Sequence, residues 1–143
     1  MAGLARSLAS LRIAGDDLDP NEITALLGHI PTTQQVKGEV IVGKVTRQVR
    51  TVKIGMWRLK ATESLPADLD QQIDEVLSKL TPDLSVWEQL STRYHMDLFC
   101  GLFMVESNEG LSISAKSMKA LGERGIELGL DIYAPDPEDE TDS

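Results

Sequence analysis

Cysteine and histidine are almost missing from this chain: Cys100, His29 and His95 are the whole supply in 143 residues. A single cysteine excludes a disulfide framework, and its position inside the apolar run LFCGLF marks it as a small buried side chain rather than a reactive thiol. Zinc is disfavoured, because one cysteine and two histidines at no ligand spacing would need several carboxylates to complete a site. Nucleophilic hydrolysis lacks its signature as well. There is no G-x-S-x-G, and the two histidines stand far apart with no serine or cysteine in a recognisable nucleophile setting. His95 is expected at a strand entry, partly exposed, and not as a catalytic base. The phosphate-cradling loops G-x-x-x-x-G-K-S/T and G-x-G-x-x-G are absent too, so no cofactor or metal is expected. No apolar run approaches the roughly 18 residues a membrane helix requires. Arg6 and Arg12 break MAGLARSLASLRI before a signal-peptide apolar region forms, so a cytoplasmic protein without membrane contact is expected.

What is present is acid, unevenly placed. Of the net charge of −9, five charges belong to Asp136, Glu138, Asp139, Glu140 and Asp142 in the terminal PDPEDETDS. Residues 1–134 are expected to form one domain, and 135–143 an acidic tail with too little apolar surface to order itself. Between positions 31 and 60 the balance reverses, with Lys37, Lys44, Arg47, Arg50, Lys53, Arg58 and Lys60 against the single acid Glu39.

The stretch GDDLDPNEI, with three aspartates and a glutamate within seven residues, reads as a helix start. With Asp19 as N-cap, Pro20 takes the first helical position and Glu22 the third, completing an Asp-x-x-Glu capping box. Leu18 and Ile23 then form the hydrophobic staple. A calcium loop starting at Asp17 fails, because Glu22 stands where the glycine belongs and Gly28 where the bidentate glutamate belongs. Gly28 closes the helix as its left-handed cap.

Elsewhere the patterning is also regular. SLASLRIAG alternates as a strand ending at Gly15, and a strand pair is expected to turn near Gly43 and lead into KIGMWRLKA. Leu69, Ile73, Val76, Leu77 and Leu80 share one helical face, and Leu84, Trp87, Leu90 and Tyr94 mark the next helix. MDLFCGLFMV is apolar on both faces, as a central strand should be. Ser114 caps a short helix, and IELGLDIY closes the domain as a strand. The expected architecture is an α+β two-layer domain with helices packed on one face of a mainly antiparallel sheet.

The N-terminal strand running into GDDLDPNEITALLG, then Pro31 with Lys37-Gly38, IGMWRL, the paired helices, DLFCGLF and LGLDIYA together resemble the bacterial family catalogued as domain of unknown function 4279. The resemblance covers nearly the whole chain up to the tail. It implies no established reaction and no catalytic residues to carry over. The segment between Val40 and Lys53 is longer and more basic than the resemblance leads one to expect.

Two candidate sites follow. Lys44, Arg47, Arg50 and Lys53 form a cationic segment suited to an acidic protein partner, or to blunting a strand edge against aggregation. It suits nucleic acid poorly, because no aromatic residue interrupts it before Trp57 and the remaining surface is acidic. Asp16, Asp17, Asp131 and Trp57 are the alternative: if adjacent strands bring them together, they line one end of the sheet as a ligand or acid/base site, with Trp57 partly exposed. The bland reading of those aspartates is a solvated rim of turn formers. The leading expectation is a small non-enzymatic bacterial protein-binding domain, immunity- or antitoxin-like in its most concrete version. The alternative is a small-ligand-binding or enzymatic domain using the Asp/Trp-lined site.

Overall fold

The computed structural model describes residues 2–136. In chain order the strands are β1 (Ala2–Gly3), β2 (Arg6–Gly15), β3 (Thr33–Gln35), β4 (Val40–Val42), β5 (Val49–Thr51), β6 (Gly55–Lys60), β7 (His95–Phe103), β8 (Glu109–Gly110) and β9 (Glu127–Tyr133). The helices are α1 (Pro20–Leu27), α2 (Leu69–Ser78), α3 (Leu84–Arg93) and α4 (Ala115–Glu123). Five strands form the main sheet in the order β3-β6-β2-β7-β9. Every neighbouring pair in it is antiparallel except β7 and β9, which run parallel. That parallel pair needs a crossover, and α4 supplies it. β1 with β8, and β4 with β5, make two small separate pairs. This is the α+β arrangement the patterning implies. Most of the acidic tail, 137–143, lies outside the described residues.

Strict alternation on β2 and β6 sends Ala9, Leu11, Ile13, Trp57 and Leu59 into the core. Met96, Leu98, Cys100 and Leu102 of β7 join them in one cluster with Ile23, Leu27, Leu69, Ile73, Val76, Trp87, Leu90 and Leu121 from the helices. Each fully buried Leu or Ile contributes about 1.5–3 kcal/mol to the folded state. Burial also pushes the Cys100 thiol up to about 12, so it is inert, as its apolar setting suggests.

Local capping chemistry sets the helix ends. Asp19 accepts a hydrogen bond from the Asn21 N–H at 3.0 Å, with Pro20 in the first turn. Gly28 closes α1 at φ 80°, a conformation a side chain resists. The capping box is half formed: Asp19 caps, but the Glu22 carboxylate is taken by the Arg93 guanidinium from α3. A charge-assisted contact between elements displaces the local return bond. Gly55 is required sterically, since a Cβ there would lie 2.8 Å from the Gly15 carbonyl oxygen.

α2 is locked to β2 through a buried polar knot. Ser7 Oγ donates to Gln72 Oε1 at 2.7 Å, while Gln72 Nε2 lies 2.9 Å from the carbonyl oxygens of both Ser7 and Thr62. Both ends of the buried Gln72 amide are thus satisfied, which removes the desolvation penalty.

Candidate functional site

The cationic segment folds as a hairpin that leaves the main sheet after β3 and returns at β6. Its neck is closed by backbone bonds from Gly38 N–H to Val52 C=O at 2.9 Å and from Val52 N–H to Glu39 C=O at 2.8 Å. Val52 is its buried anchor. Beyond the neck, Val40 pairs with Thr51, Ile41 with Arg50 and Val42 with Val49. At the tip Gly43 N–H donates to Gln48 C=O at 2.9 Å and Arg47 N–H to Gly43 C=O at 3.0 Å. This closure holds Arg47 at φ 54°, a left-handed conformation that costs a non-glycine residue about 1–2 kcal/mol.

Two properties set the hairpin apart. Because facing residues in a strand pair share one side, Val40, Val42 and Val49 form an apolar face, and they are 59%, 57% and 66% exposed. Arg50, facing Ile41, stands on the other side of the pair, and Lys44, Arg47, Arg50 and Lys53 make no salt bridge among the described residues. Lys37, at the base, reaches Asp16 at 3.4 Å. Asp16 therefore ties the turn after β2 to the hairpin.

The sheet face opposite the helices is organised differently. In register, Thr33, Arg58, Arg12, Asp97 and Glu127 form one row across all five strands. Arg12 grips Asp97 through two bonds, Nε to Oδ1 at 2.8 Å and Nη2 to Oδ2 at 2.6 Å, and its guanidinium lies 4.4 Å above the Phe99 ring. The hydrogen bond to Asp97 raises the Arg12 pKa further, so the guanidinium stays charged. Arg6 covers Phe103 at 3.9 Å, and Phe103 stacks on Tyr133 at 4.7 Å. The Phe99 and Phe103 rings are thus already occupied by the chain's own arginines. Sequence reading missed this lattice because Arg12 and Asp97 are 85 positions apart. The available signal was alternation, which sets Arg6 and Arg12 on one side of β2 and Phe99 and Phe103 on one side of β7.

Asp16, Asp17, Asp131 and Trp57 do not converge. Trp57 is fully buried on the helix side, its Nε1 donating to Thr24 Oγ1 at 3.1 Å. The expectation of partial exposure is corrected: its alternation with Gly55 and Leu59 points it into the core, and α1 covers it. Asp131 lies on the opposite face, in register with Gly101 and Leu8, and accepts the Tyr133 hydroxyl at 2.6 Å. Gly15, which precedes Asp16 and Asp17, stands seven residues further along β2 than Leu8, a separation of roughly 23 Å. Among the described residues no group of three or more His, Cys, Asp or Glu side chains is placed to hold a metal ion. No helix among them is long and apolar enough to cross a membrane.

A groove of about 910 Å³ runs between α2 and α4, with Asp70, Asp74 and Gln71 on one wall and Lys116 and Lys119 on the other. Asp70 closes one end by accepting the Ser117 hydroxyl at 2.6 Å and the Ser114 N–H at 2.9 Å. These bonds, the Ser117 one foremost, hold its carboxyl below the usual carboxylate range. The apolar floor, Ile73, Leu77 and Leu80, is already buried, leaving little to gain from an occupant.

One sheet face covered by helices, the other carrying paired charges, and a basic hairpin inserted between two strands define a two-layer α+β domain. The chain belongs to the family described as Domain of unknown function (DUF4279), whose family model matches residues 5–135. No curated protein and no solved structure matches it.

Proposed function

We propose that this protein is a binding domain rather than an enzyme, and that its projecting hairpin engages an acidic protein partner. The observation that carries the reading is the coincidence, on one two-stranded element, of exposed Val40, Val42 and Val49 with Lys44, Arg47, Arg50 and Lys53, which form no salt bridge among the described residues. Exposed apolar surface rimmed by charge of one sign is the composition of an interface, with the valines supplying the desolvated centre and the cations steering encounter. The separation of Asp16 and Asp17 from Asp131, together with the burial of Trp57, removes the geometric support for the ligand-site alternative. An immunity- or antitoxin-like role is the narrowest form of the reading, in which the partner is an acidic toxin.

The test is capture from native extract with wild type, a variant carrying Lys44, Arg47, Arg50 and Lys53 to Ser, and a Val42→Ser/Val49→Ser variant. The charge variant should fold normally, bind its partner more slowly and lose salt dependence, whereas the valine variant should lose affinity mainly through faster dissociation. Recovery of the same specific partner in equal amount by all three would remove the hairpin from the interface.

A further inference from the structure

The two edges of the main sheet are protected unequally. β3 is three residues long and passes directly into the cationic hairpin. β9 is a seven-residue edge strand in unbroken register with β7 from Glu127 to Tyr133. It carries no lysine, arginine, proline or bulge, several of the devices by which exposed edges avoid pairing, and its two acids, Glu127 and Asp131, both lie on the face away from the helices. Leu130 and Ile132 are 46% and 57% exposed on its helix side.

Backbone direction sharpens the point. Met104 N–H donates to the Tyr133 carbonyl at 3.1 Å, so the Tyr133 carbonyl faces β7. In a parallel ladder alternate residues turn both backbone groups the same way. Glu127, Gly129, Asp131 and Tyr133 therefore bond β7, while Leu128, Leu130 and Ile132 direct their N–H and C=O groups outward.

We infer that β9 pairs antiparallel with β9 of a second copy about a two-fold axis through Leu130, joining the two five-stranded sheets into one. In this register Leu130 faces Leu130, and Leu128 faces Ile132 of the second copy, each pair exchanging both backbone bonds and lining the helix side with aliphatic side chains. On the other face Asp131 meets Gly129 and Glu127 meets Tyr133. Neighbouring registers fail on charge. An axis through Asp131 sets that carboxylate against itself, and one through Gly129 sets Glu127 against Asp131. Axes through Leu128 or Ile132 avoid like charges but shorten the overlap, so the Leu130 register is the self-complementary one that pairs the whole strand, an isologous contact. It is smaller than the roughly 800 Å² per partner of stable complexes, so the dimer forms and dissociates with concentration. With a net charge of −9 on each copy, added salt strengthens it by screening repulsion. Salt weakens the proposed hairpin contact, so failure of either idea can be told from failure of the other.

Sedimentation velocity of wild type from micromolar to millimolar concentration tests the pairing, beside Leu130→Lys and Ile132→Lys, whose exposed positions leave the fold intact. Expected are a concentration-dependent dimer and a rise of about tenfold or more in dissociation constant for each lysine variant. A monomer throughout, or unchanged dimerisation of Leu130→Lys, overturns the inference. Leu130→Cys should form an intermolecular disulfide under mild oxidation faster than Asp131→Cys, and the reverse order would overturn the register.

Discussion

The hairpin at 36–54 and the sheet it interrupts handle the same residue types in opposite ways. In the sheet, the two arginines of β2 are paired: Arg12 holds Asp97 in a two-bond fork and Arg6 reaches Glu63 at 3.2 Å. Aliphatic side chains on its helix side are buried over β2, β6 and β7. Beyond the buried Val52 and the Lys37–Asp16 pair at its base, the hairpin leaves Val40, Val42 and Val49 exposed and four of its cations without a salt bridge among the described residues. That outer part, which neither buries its valines nor pairs its charges, adds little to folding. Under the proposed function its composition answers to a partner, whereas the sheet's composition answers to stability.

Breaking the core between the sheet and its helices should cost most. Trp57→Ala and Trp87→Ala each remove a fully buried indole whose Nε1 has a partner, Thr24 Oγ1 and the Thr81 carbonyl respectively. Each should lower unfolding free energy by about 3–5 kcal/mol, read by urea denaturation. A loss near zero for Trp57 would restore the exposed setting expected from sequence.

Next comes the fork. Asp97→Ala leaves the partly buried Arg12 guanidinium without its carboxylate and should cost about 1.5–3 kcal/mol. Arg12→Met combined with Asp97→Leu should recover most of that loss, since an apolar pair avoids the desolvation cost. Non-additivity in the double-mutant cycle is the measurement.

On the hairpin the sign should invert. Arg47→Gly relieves the left-handed backbone at the tip and should raise stability by about 0.5–1 kcal/mol, while slowing association with the proposed acidic partner by removing one cation. A destabilised Arg47→Gly would mean that this arginine holds the tip together, and the contrast with the sheet would weaken.

The smallest effect is acidic. Hydrogen bonds from Ser117 and Ser114 hold the Asp70 carboxyl below its usual range. A depressed carboxylate stabilises the fold above its unfolded value of about 3.9, and the contribution is lost as pH falls through the lower folded value. Stability of wild type should therefore fall more steeply below about pH 4 than that of Asp70→Asn. Parallel curves would detach Asp70 from the α2–α4 contact.

Local chemistry was legible in the chain, and relations across it were not. Asp19, Pro20 and Gly28 declare a helix from a short local stretch, and the alternation on β2, with Ala9, Leu11 and Ile13 on one side, declares a half-buried strand. Nothing local says which side of β6 the helices will cover, so the exposure of Trp57 could not be read from its neighbours. Nothing in IELGLDIY says whether it runs parallel or antiparallel to its neighbour, yet that direction sets Asp131 far from Asp16. Edge position is equally hidden: Leu130 and Ile132 have the spacing of core residues, and only the strand order leaves them exposed. The fate of Glu22 depended on Arg93, 71 residues away.

The closed neck of the hairpin has a consequence for variation among relatives. Because Gly38, Glu39 and Val52 join the two arms beside the sheet, whatever lies beyond them is tethered at fixed ends. Doubling the length of such a loop costs only about 0.6 kcal/mol. The tip can be shortened, extended or exchanged for a foreign hairpin while β3 and β6 keep their places, so under the proposed function the same scaffold is readdressed to new targets by replacing one short cassette.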